Sequence, residues 1–237
     1  MKVIFAGSSV HNADLDLTGI VMRRPAARGD VEQAVHEGAT VIGLIDGQFG
    51  QVASVWHKEI LFALAQGVAV LGASSMGALR AAECQPFGMV PVGEIAWRYC
   101  RGELVDDADL ALLMAPEELG YAPLTEPLVD AEATIAHLRN LGMIDFNEEC
   151  LLVASARSLF FTERTPEAIF QNAGLGARTD GAAALYRRHH LSLKLQDALE
   201  LISLVKDLPE RRGQPAAWQI AASPFWTRRF PQSVTPL

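Results

Sequence analysis

The chain has 237 residues, half of them hydrophobic and a fifth charged, with 20 basic against 28 acidic side chains and a net charge of −8. This length supplies ample apolar material for one large domain or two small ones, and the composition excludes general disorder. The negative charge argues against a nucleic-acid binder that relies on phosphate neutralisation. Residues 1–180 carry 12 basic and 24 acidic groups, whereas residues 181–237 carry 8 and 4. A basic tail on an acidic body suggests intramolecular docking or a protein partner.

Three cysteines, Cys84, Cys100 and Cys150, lie far apart and form no Cys-x-x-Cys motif, which indicates a reduced protein without a disulfide framework or zinc site. The adjacent His189 and His190 point about 100° apart on a helix and cannot share a metal. No N-terminal apolar run is long enough for a signal peptide, and none approaches the roughly 20 residues that span a bilayer. We therefore expect a cytoplasmic protein without a metal, a cofactor, or a nucleic-acid or membrane partner.

In chain order, the first 90 residues alternate between short apolar runs and amphipathic stretches. Strands are predicted at KVIFAGSS, GIVMRRPA, TVIGLIDGQFG and VAVLGASS, and helices at GDVEQAVHEG, SVWHKEILFALAQG and MGALRAAEC. Ser54 is a possible N-cap of the second helix. Buried strands that alternate with helices predict an α/β fold with a parallel sheet covered on both faces, and ligands bind outside the carboxyl ends of such strands. We therefore predict a site built from three strand ends: Gly7-Ser8-Ser9, Asp46-Gly47-Gln48 and Ser74-Ser75.

The remainder of the chain is predicted to be largely helical. Residues 94–132 contain ten acidic side chains and two arginines, and a solvated face is the simplest explanation of such a run. Helical spacing follows in DAEATIAHLRNLGMI and ECLLVASARSLFF, and AALYRRHHLSLKLQDALELISLVKDLPE is predicted as one long amphipathic helix. We divide the chain into an α/β core domain with the site, residues 1–125, and a helical C-terminal region with a basic, aromatic tail, residues 126–237.

The segment Gly72–Glu83, GASSMGALRAAE, leads from a strand into a helix. The free amides of the first helical turn, those of Met76 and Gly77, are predicted to form an anion or oxyanion site. Ala78 and Leu79 stand where a Walker-type loop requires Lys and Ser or Thr, which argues against a nucleotide loop.

Two explanations fit the serines of this segment, Ser74 and Ser75. The simpler one is a helix N-cap, which contributes about 1 kcal/mol. The alternative is a nucleophile on a strand-to-helix turn, with backbone amides placed for an oxyanion. That alternative requires a base.

A candidate base lies in the polar turn His57-Lys58-Glu59 of an otherwise apolar helix. Lys58 can act as a general base if desolvation lowers its pKa from about 10.4 toward 7–8. A salt bridge to a nearby carboxylate is the simpler role for it. Ser54, four residues earlier on the same face, forms a second candidate dyad with Lys58. Arg80 and Glu83 lie three residues apart and can pair with each other on one helix face. Alternatively, Arg80 binds an acyl carboxylate.

At these residues the sequence resembles the TfuA family, partner proteins encoded beside the YcaO enzymes that make peptide backbone thioamides. The resemblance extends from about Gly7 to Val129, and the region after about residue 150 adds nothing to it. Its most specific pieces are IDGQF (Ile45–Phe49), VWHKEIL (Val55–Leu61), GASSMGALRAAE (Gly72–Glu83), FGMVPVGEI (Phe87–Ile95) and the pair Asp106-Asp107.

The resemblance implies a Ser–Lys hydrolase that acts on a thiocarboxylated, ThiS-like sulfur-carrier protein and releases sulfide for the YcaO partner. It also implies binding to YcaO and to the precursor peptide. Carried over by position, Lys58 is the base and Ser75 the nucleophile, with Ser74 as the alternative nucleophile. A non-catalytic scaffold for the same partners is the competing hypothesis. Five further residues match the motif in supporting positions: Asp46, His57, Glu59, Arg80 and Glu83.

Overall fold

A computed structural model describes residues 1–48, 53–175, 179–218 and 220–221. Its centre is a parallel sheet with strand order β2-β1-β3-β4-β5. The strands are β1 (Lys2–Phe5), β2 (Ile20–Arg23), β3 (Val41–Leu44), β4 (Ala69–Gly72) and β5 (Val90–Pro91). The predicted α/β class with a parallel sheet is confirmed.

Helices follow the strands and then continue without further strands. Those of the α/β part are α1 (Asp30–His36), α2 (His57–Ala65), α3 (Met76–Cys84) and α4 (Gly93–Cys100). The later ones are α5 (Leu128–Asn140), α6 (Phe146–Ser158), α7 (Pro166–Asn172), α8 (Thr179–Arg188) and α9 (Leu193–Asp207). The predicted helical character of the C-terminal part is therefore confirmed for the described residues.

Side-chain alternation along the strands divides the core between the two faces of the sheet. Val3 and Phe5 lie in one apolar cluster with Val35 of α1 and Ile60 of α2. These residues are almost completely removed from solvent, as expected for strands buried on both faces. Helices α1 and α2 therefore cover the first face.

Helix α9 covers the opposite face. Its Leu201 and Val205 share a cluster with Ile4 of β1 and Leu71 of β4. The approach is close because β3 carries Gly43, where a Cβ atom would lie 2.6 Å from Leu201 Cδ2. A helix from the sequence-defined C-terminal region thus packs on the sheet of the α/β part.

The prediction of a single long helix before Pro209 is wrong, because the structure divides that stretch into α8 and α9. Ser192 is the N-cap of α9, and its Oγ accepts a hydrogen bond from the amide of Leu195 at 3.0 Å. The same hydroxyl donates to Asp130 Oδ2 on α5 at 2.7 Å. A capping serine with a tertiary partner stabilises this break, and helical periodicity alone does not reveal it.

Helix α2 begins later than Ser54, its expected N-cap. Trp56 has extended backbone angles and His57 is the first helical residue. Val55 is fully buried, and the Ser54 hydroxyl is directed to the carbonyl of Gln48 at 3.5 Å. Burial of Val55 therefore keeps this approach to the helix extended.

A third apolar cluster lies among α5 to α8. It includes Ile135, Leu152, Phe170 and Tyr186, all of them buried. Helices α5 and α6 overlap the two stretches predicted from helical spacing, and each begins and ends a few residues earlier than its stretch. The end of the predicted basic tail, residues 222–237, lies outside the described residues.

Strand order decides where a ligand can reach this sheet. The chain moves from β1 outward to β2 and then crosses to β3 on the other side of β1. In doubly wound sheets such a reversal opens a crevice beyond the carboxyl ends of the two strands. Phe5, Leu44 and Gly72 are in register at those ends, so the loops that follow them meet at one edge.

Gly77 tests the packing that places α3 against β3. A Cβ atom at Gly77 would lie 1.7 Å from the carbonyl oxygen of Leu44. Gly77→Ala should therefore lower the free energy of unfolding, measured by urea denaturation, by about 3 kcal/mol or more. Gly181→Ala is the matched control, since nothing lies within 4 Å of its added Cβ on α8. That variant should be neutral or more stable by up to about 1 kcal/mol, and equal losses would contradict the packing argument.

Candidate functional site

A buried carboxylate joins the ends of β1 and β3. Asp46 Oδ2 accepts hydrogen bonds from the amides of Gly7 at 2.8 Å and Ser9 at 3.0 Å. Asp46 Oδ1 accepts from the Ser9 hydroxyl at 2.7 Å. Asp46 is 2% exposed, so this carboxylate is satisfied by the loop after β1 instead of by water.

The end of β4 joins the same network through Ser74. Its hydroxyl donates to Ser9 Oγ at 2.9 Å, which produces a chain from Ser74 through Ser9 to Asp46. The prediction that three strand ends meet is confirmed by these contacts. Whether they form a functional site stays a prediction.

Ser74 occupies a strained turn between β4 and α3. Its φ is +68°, and the amide of Ser75 donates to the carbonyl of Ala73 across it at 2.8 Å. A non-glycine residue at the centre of such a tight turn costs of order 1–3 kcal/mol and is found at functional sites more often than elsewhere. This strain supports the interpretation of the serine pair as more than a capping device.

Ser75 is the N-cap residue of α3, but its side chain makes no capping hydrogen bond. The capping explanation is therefore wrong for Ser75. Of the two predicted oxyanion donors, the amide of Gly77 is engaged by the carbonyl of Ile45 at 3.1 Å. The Met76 amide has no backbone partner among the described residues, so Met76 alone of the pair presents an unengaged donor there.

Lys58, the predicted base, lies in the first turn of α2 and is partly buried. Its Nζ donates to the carbonyl of Ala221 at 3.1 Å. This contact connects Lys58 to the chain beyond α9. The pairing of Lys58 with Ser75, or with Ser54, stays a prediction.

The neighbouring charged residues form a cluster of their own. Arg80 Nη1 lies 2.5 Å from Glu83 Oε2, which confirms the pair expected from their spacing. His57 Nε2 lies 2.7 Å from the same oxygen, and Arg80 Nε donates to Val55 O at 2.9 Å. Burial alone would raise the pKa of Glu83, but the hydrogen bonds and charges of His57 and Arg80 hold it below its ordinary value. The cluster therefore ties α2 to α3.

Glu59 has a structural task in this fold. It is fully buried, and its carboxylate accepts from the amides of Gly29 at 2.8 Å and Trp56 at 3.2 Å. Those amides precede α1 and α2, so one side chain binds the starts of two helices. Burial raises the pKa of Glu59 to about 7.

A cavity of about 490 Å³ opens beside the start of α3. Two motif segments, Gly72–Glu83 and Asp106-Asp107, contribute to its lining, which includes Ser54, Met76, Arg80, Glu83, Asp106 and Asp107. We call it the Arg80 cavity. Phe49, the last residue of the IDGQF motif, lies outside the described residues.

Sequence reasoning missed Lys194, the second residue of α9. Its side chain is 2% exposed, and its Nζ donates to the carbonyl of Leu110 at 3.3 Å. A signal was present, because Ala198, Leu201 and Val205 follow Lys194 at helical spacing and form the buried face of α9.

No group of three metal-binding side chains occurs in the described part of the chain. Among the described residues, every helix is either too short or too polar to cross a membrane.

The reversed strand order and the polar strand ends define a doubly wound α/β protein with its candidate site at the switch point. The family model described as TfuA-like protein matches residues 46–165. The chain belongs to this TfuA-like family, and membership is consistent with a role in YcaO-associated thioamidation. No curated protein matches the chain. Ser9 and Lys194 lie outside the matched range.

The structural role of Glu59 predicts a pH dependence of stability. Its folded pKa of about 7 lies above the ordinary value of 4.5, so its favourable contribution is complete below about pH 4.5 and is lost as the pH rises through 7. Between about pH 4.5 and pH 8, the wild type should lose about 3 kcal/mol more unfolding free energy than Glu59→Gln. Urea denaturation across this range measures the difference.

Glu83→Gln is the matched control for that experiment. The pKa of Glu83 lies below its ordinary value, so its contribution is present at neutral pH and is lost only as the pH falls through the lowered pKa. The loss above pH 4.5 should therefore persist in Glu83→Gln. Parallel profiles for the wild type and Glu59→Gln would refute the assignment for Glu59.

Proposed function

We propose that the protein is a hydrolase that releases sulfide from a thiocarboxylated sulfur-carrier protein for a YcaO enzyme that installs peptide backbone thioamides. Family membership supports the YcaO-associated role. The observation that carries the hydrolase proposal is the hydrogen-bonded chain Ser74–Ser9–Asp46 at the carboxyl edge of the sheet. A serine hydroxyl joined to a buried carboxylate has a route by which its proton can leave.

The reaction takes place in two steps. A serine Oγ attacks the thiocarboxylate carbon while its proton passes to the base; the C–S bond then breaks, the departing sulfur takes that proton and leaves as hydrosulfide, and the acyl group stays on the serine as an ester. Water then attacks the ester carbon and gives a proton to the base, which returns a proton to the serine oxygen as the acyl C–O bond breaks, and the carrier leaves with a carboxylate. The Met76 amide at the start of α3, which has no backbone partner among the described residues, supports stabilisation of the oxyanion.

Two nucleophiles compete within this proposal. The strained turn and the chain to Asp46 favour Ser74. The family resemblance favours Ser75 with Lys58 as the base. Ser74 is fully buried and Ser75 nearly so, so either serine requires the substrate to enter a cavity.

A non-catalytic scaffold is the second candidate function. Its support is the loop region before α5, where Leu113, Leu119 and Leu124 are 40%, 65% and 59% exposed. Exposed leucines close to many carboxylates are typical of a protein-binding surface. In this hypothesis the serines only shape the edge of the sheet.

Single alanine substitutions separate these possibilities. If Ser74 is the nucleophile, Ser74→Ala should lower sulfide release from a thiocarboxylated carrier by at least about 100-fold, while Ser75→Ala and Lys58→Ala retain most of it. Sulfide released per unit time measures the effect. Ser203→Ala, an exposed serine on α9, is the matched control and should match the wild type.

The opposite pattern, with loss in Ser75→Ala and Lys58→Ala only, identifies the Ser75–Lys58 pair as the catalytic one. Undiminished release from folded variants at all three positions would overturn the hydrolase proposal. If such variants also support peptide thioamidation with unchanged binding to YcaO, the scaffold hypothesis replaces it. Circular dichroism checks that each variant is folded.

A further inference from the structure

A second cavity, of about 210 Å³, reaches the serine chain at Ser9. We call it the Lys194 cavity, since Lys194 of α9 and the loop after β1 both line it. Its lining includes Ser8, Ser9, Thr125, Asp130, His190 and Lys194. A cavity of this size suits a narrow acyl tail.

Lys194 is an unusual residue to find in such a position. Buried lysines are rare unless paired, and among the described residues no carboxylate lies within ion-pair distance of its Nζ. The one hydrogen bond seen from that Nζ goes to the carbonyl of Leu110, so two of its three N–H donors lack a partner in the described part of the chain. Burial lowers the pKa of Lys194, while the charges of Asp46 and Asp130 act in the opposite direction.

The acidic groups of this cavity are already occupied. Asp130 Oδ1 accepts from the Lys194 amide at 3.0 Å, and Asp130 Oδ2 accepts from Ser192 Oγ at 2.7 Å. Glu126 Oε2 lies 3.0 Å from His190 Nε2, and this hydrogen bond raises the pKa of His190. Two N–H donors of Lys194 have no partner in the described part of the chain and remain for a ligand.

The Arg80 cavity has the opposite character. It contains the carboxylates of Glu83, Asp106 and Asp107 against a single guanidinium. Arg80 is already paired with Glu83. The Arg80 cavity therefore has no unpaired cation among its described lining residues, whereas an anion in the Lys194 cavity would compensate the buried ammonium group of Lys194.

We propose that the Lys194 cavity is the acyl-tail subsite, which binds the anionic C-terminal end of an extended carrier tail, a carboxylate or thiocarboxylate, through Lys194. The inference rests on the proposed function and extends it to a residue outside the matched family region. Ser9 lines the cavity and accepts the hydrogen bond of Ser74. A tail held by Lys194 therefore ends beside the chain that leads to Asp46.

The test measures binding without turnover. The probe is the ThiS-like carrier in its carboxylate form, compared with the same carrier amidated at its C-terminus, and calorimetry gives the Kd. In the wild type, amidation should weaken binding at least about tenfold, the loss of one hydrogen bond to a charged group. In Lys194→Met the two probes should bind equally.

Two tryptophan variants keep the test independent of Lys194 and of its effect on folding. Ser8 lines the Lys194 cavity, so the larger side chain of Ser8→Trp should take up space there and weaken binding of the carboxylate carrier at least about tenfold. Val105→Trp alters the Arg80 cavity, which Val105 lines, and should bind as the wild type does. The inference is overturned if Val105→Trp weakens binding of the carboxylate carrier and Ser8→Trp does not. Equal binding of both probes by the wild type, or no binding of the carrier at all, also overturns it.

Failure of the proposed function has a different signature. A wild-type protein that binds the carboxylate tail through Lys194 but releases no sulfide would refute the hydrolase and leave the subsite standing. Normal sulfide release together with equal binding of the two probes, in both the wild type and Lys194→Met, would refute the subsite and leave the hydrolase standing.

Discussion

The buried carboxylate of Asp46 is the constraint on which the candidate site depends. Removing a carboxylate from water costs several kcal/mol unless hydrogen bonds replace the lost solvent. Here the loop after β1 supplies them, through the amides of Gly7 and Ser9 and the Ser9 hydroxyl. Satisfying Asp46 therefore fixes the backbone of that loop, and the fixed Ser9 in turn receives Ser74. The geometry of three strand ends follows from one desolvated charge.

The sequence was sufficient to predict this edge of the sheet because its signals are local. Apolar runs that end at Ser9, Asp46 and Ser74 predict parallel strands, and the carboxyl ends of parallel strands lie at one edge. Lys194 could not be placed there in the same way. Its position depends on α9 crossing the sheet over Gly43. Gly43 and its contact Leu201 lie 158 positions apart, so no local pattern encodes this contact.

Local rules also gave wrong answers where a tertiary contact prevailed. Helical periodicity continues through the break before α9, but the hydrogen bond between Ser192 and Asp130 ends it. A serine before a helix normally caps it, yet Ser75 does not and Ser74 donates across the sheet edge. Both departures occur next to one of the two cavities, as expected where function competes with local preference.

The position of α9 in the chain has a consequence for synthesis. The loops that carry Ser9, Asp46 and Ser74 leave the ribosome first, but the sheet face that contains Ile4 and Leu71 stays uncovered until α9 follows. A nascent chain folds as its segments become available, so Lys194 reaches the cavity only after α9 has been synthesised. Assembly in this order makes α9 a condition for a complete site, and products truncated before α9 would lack it.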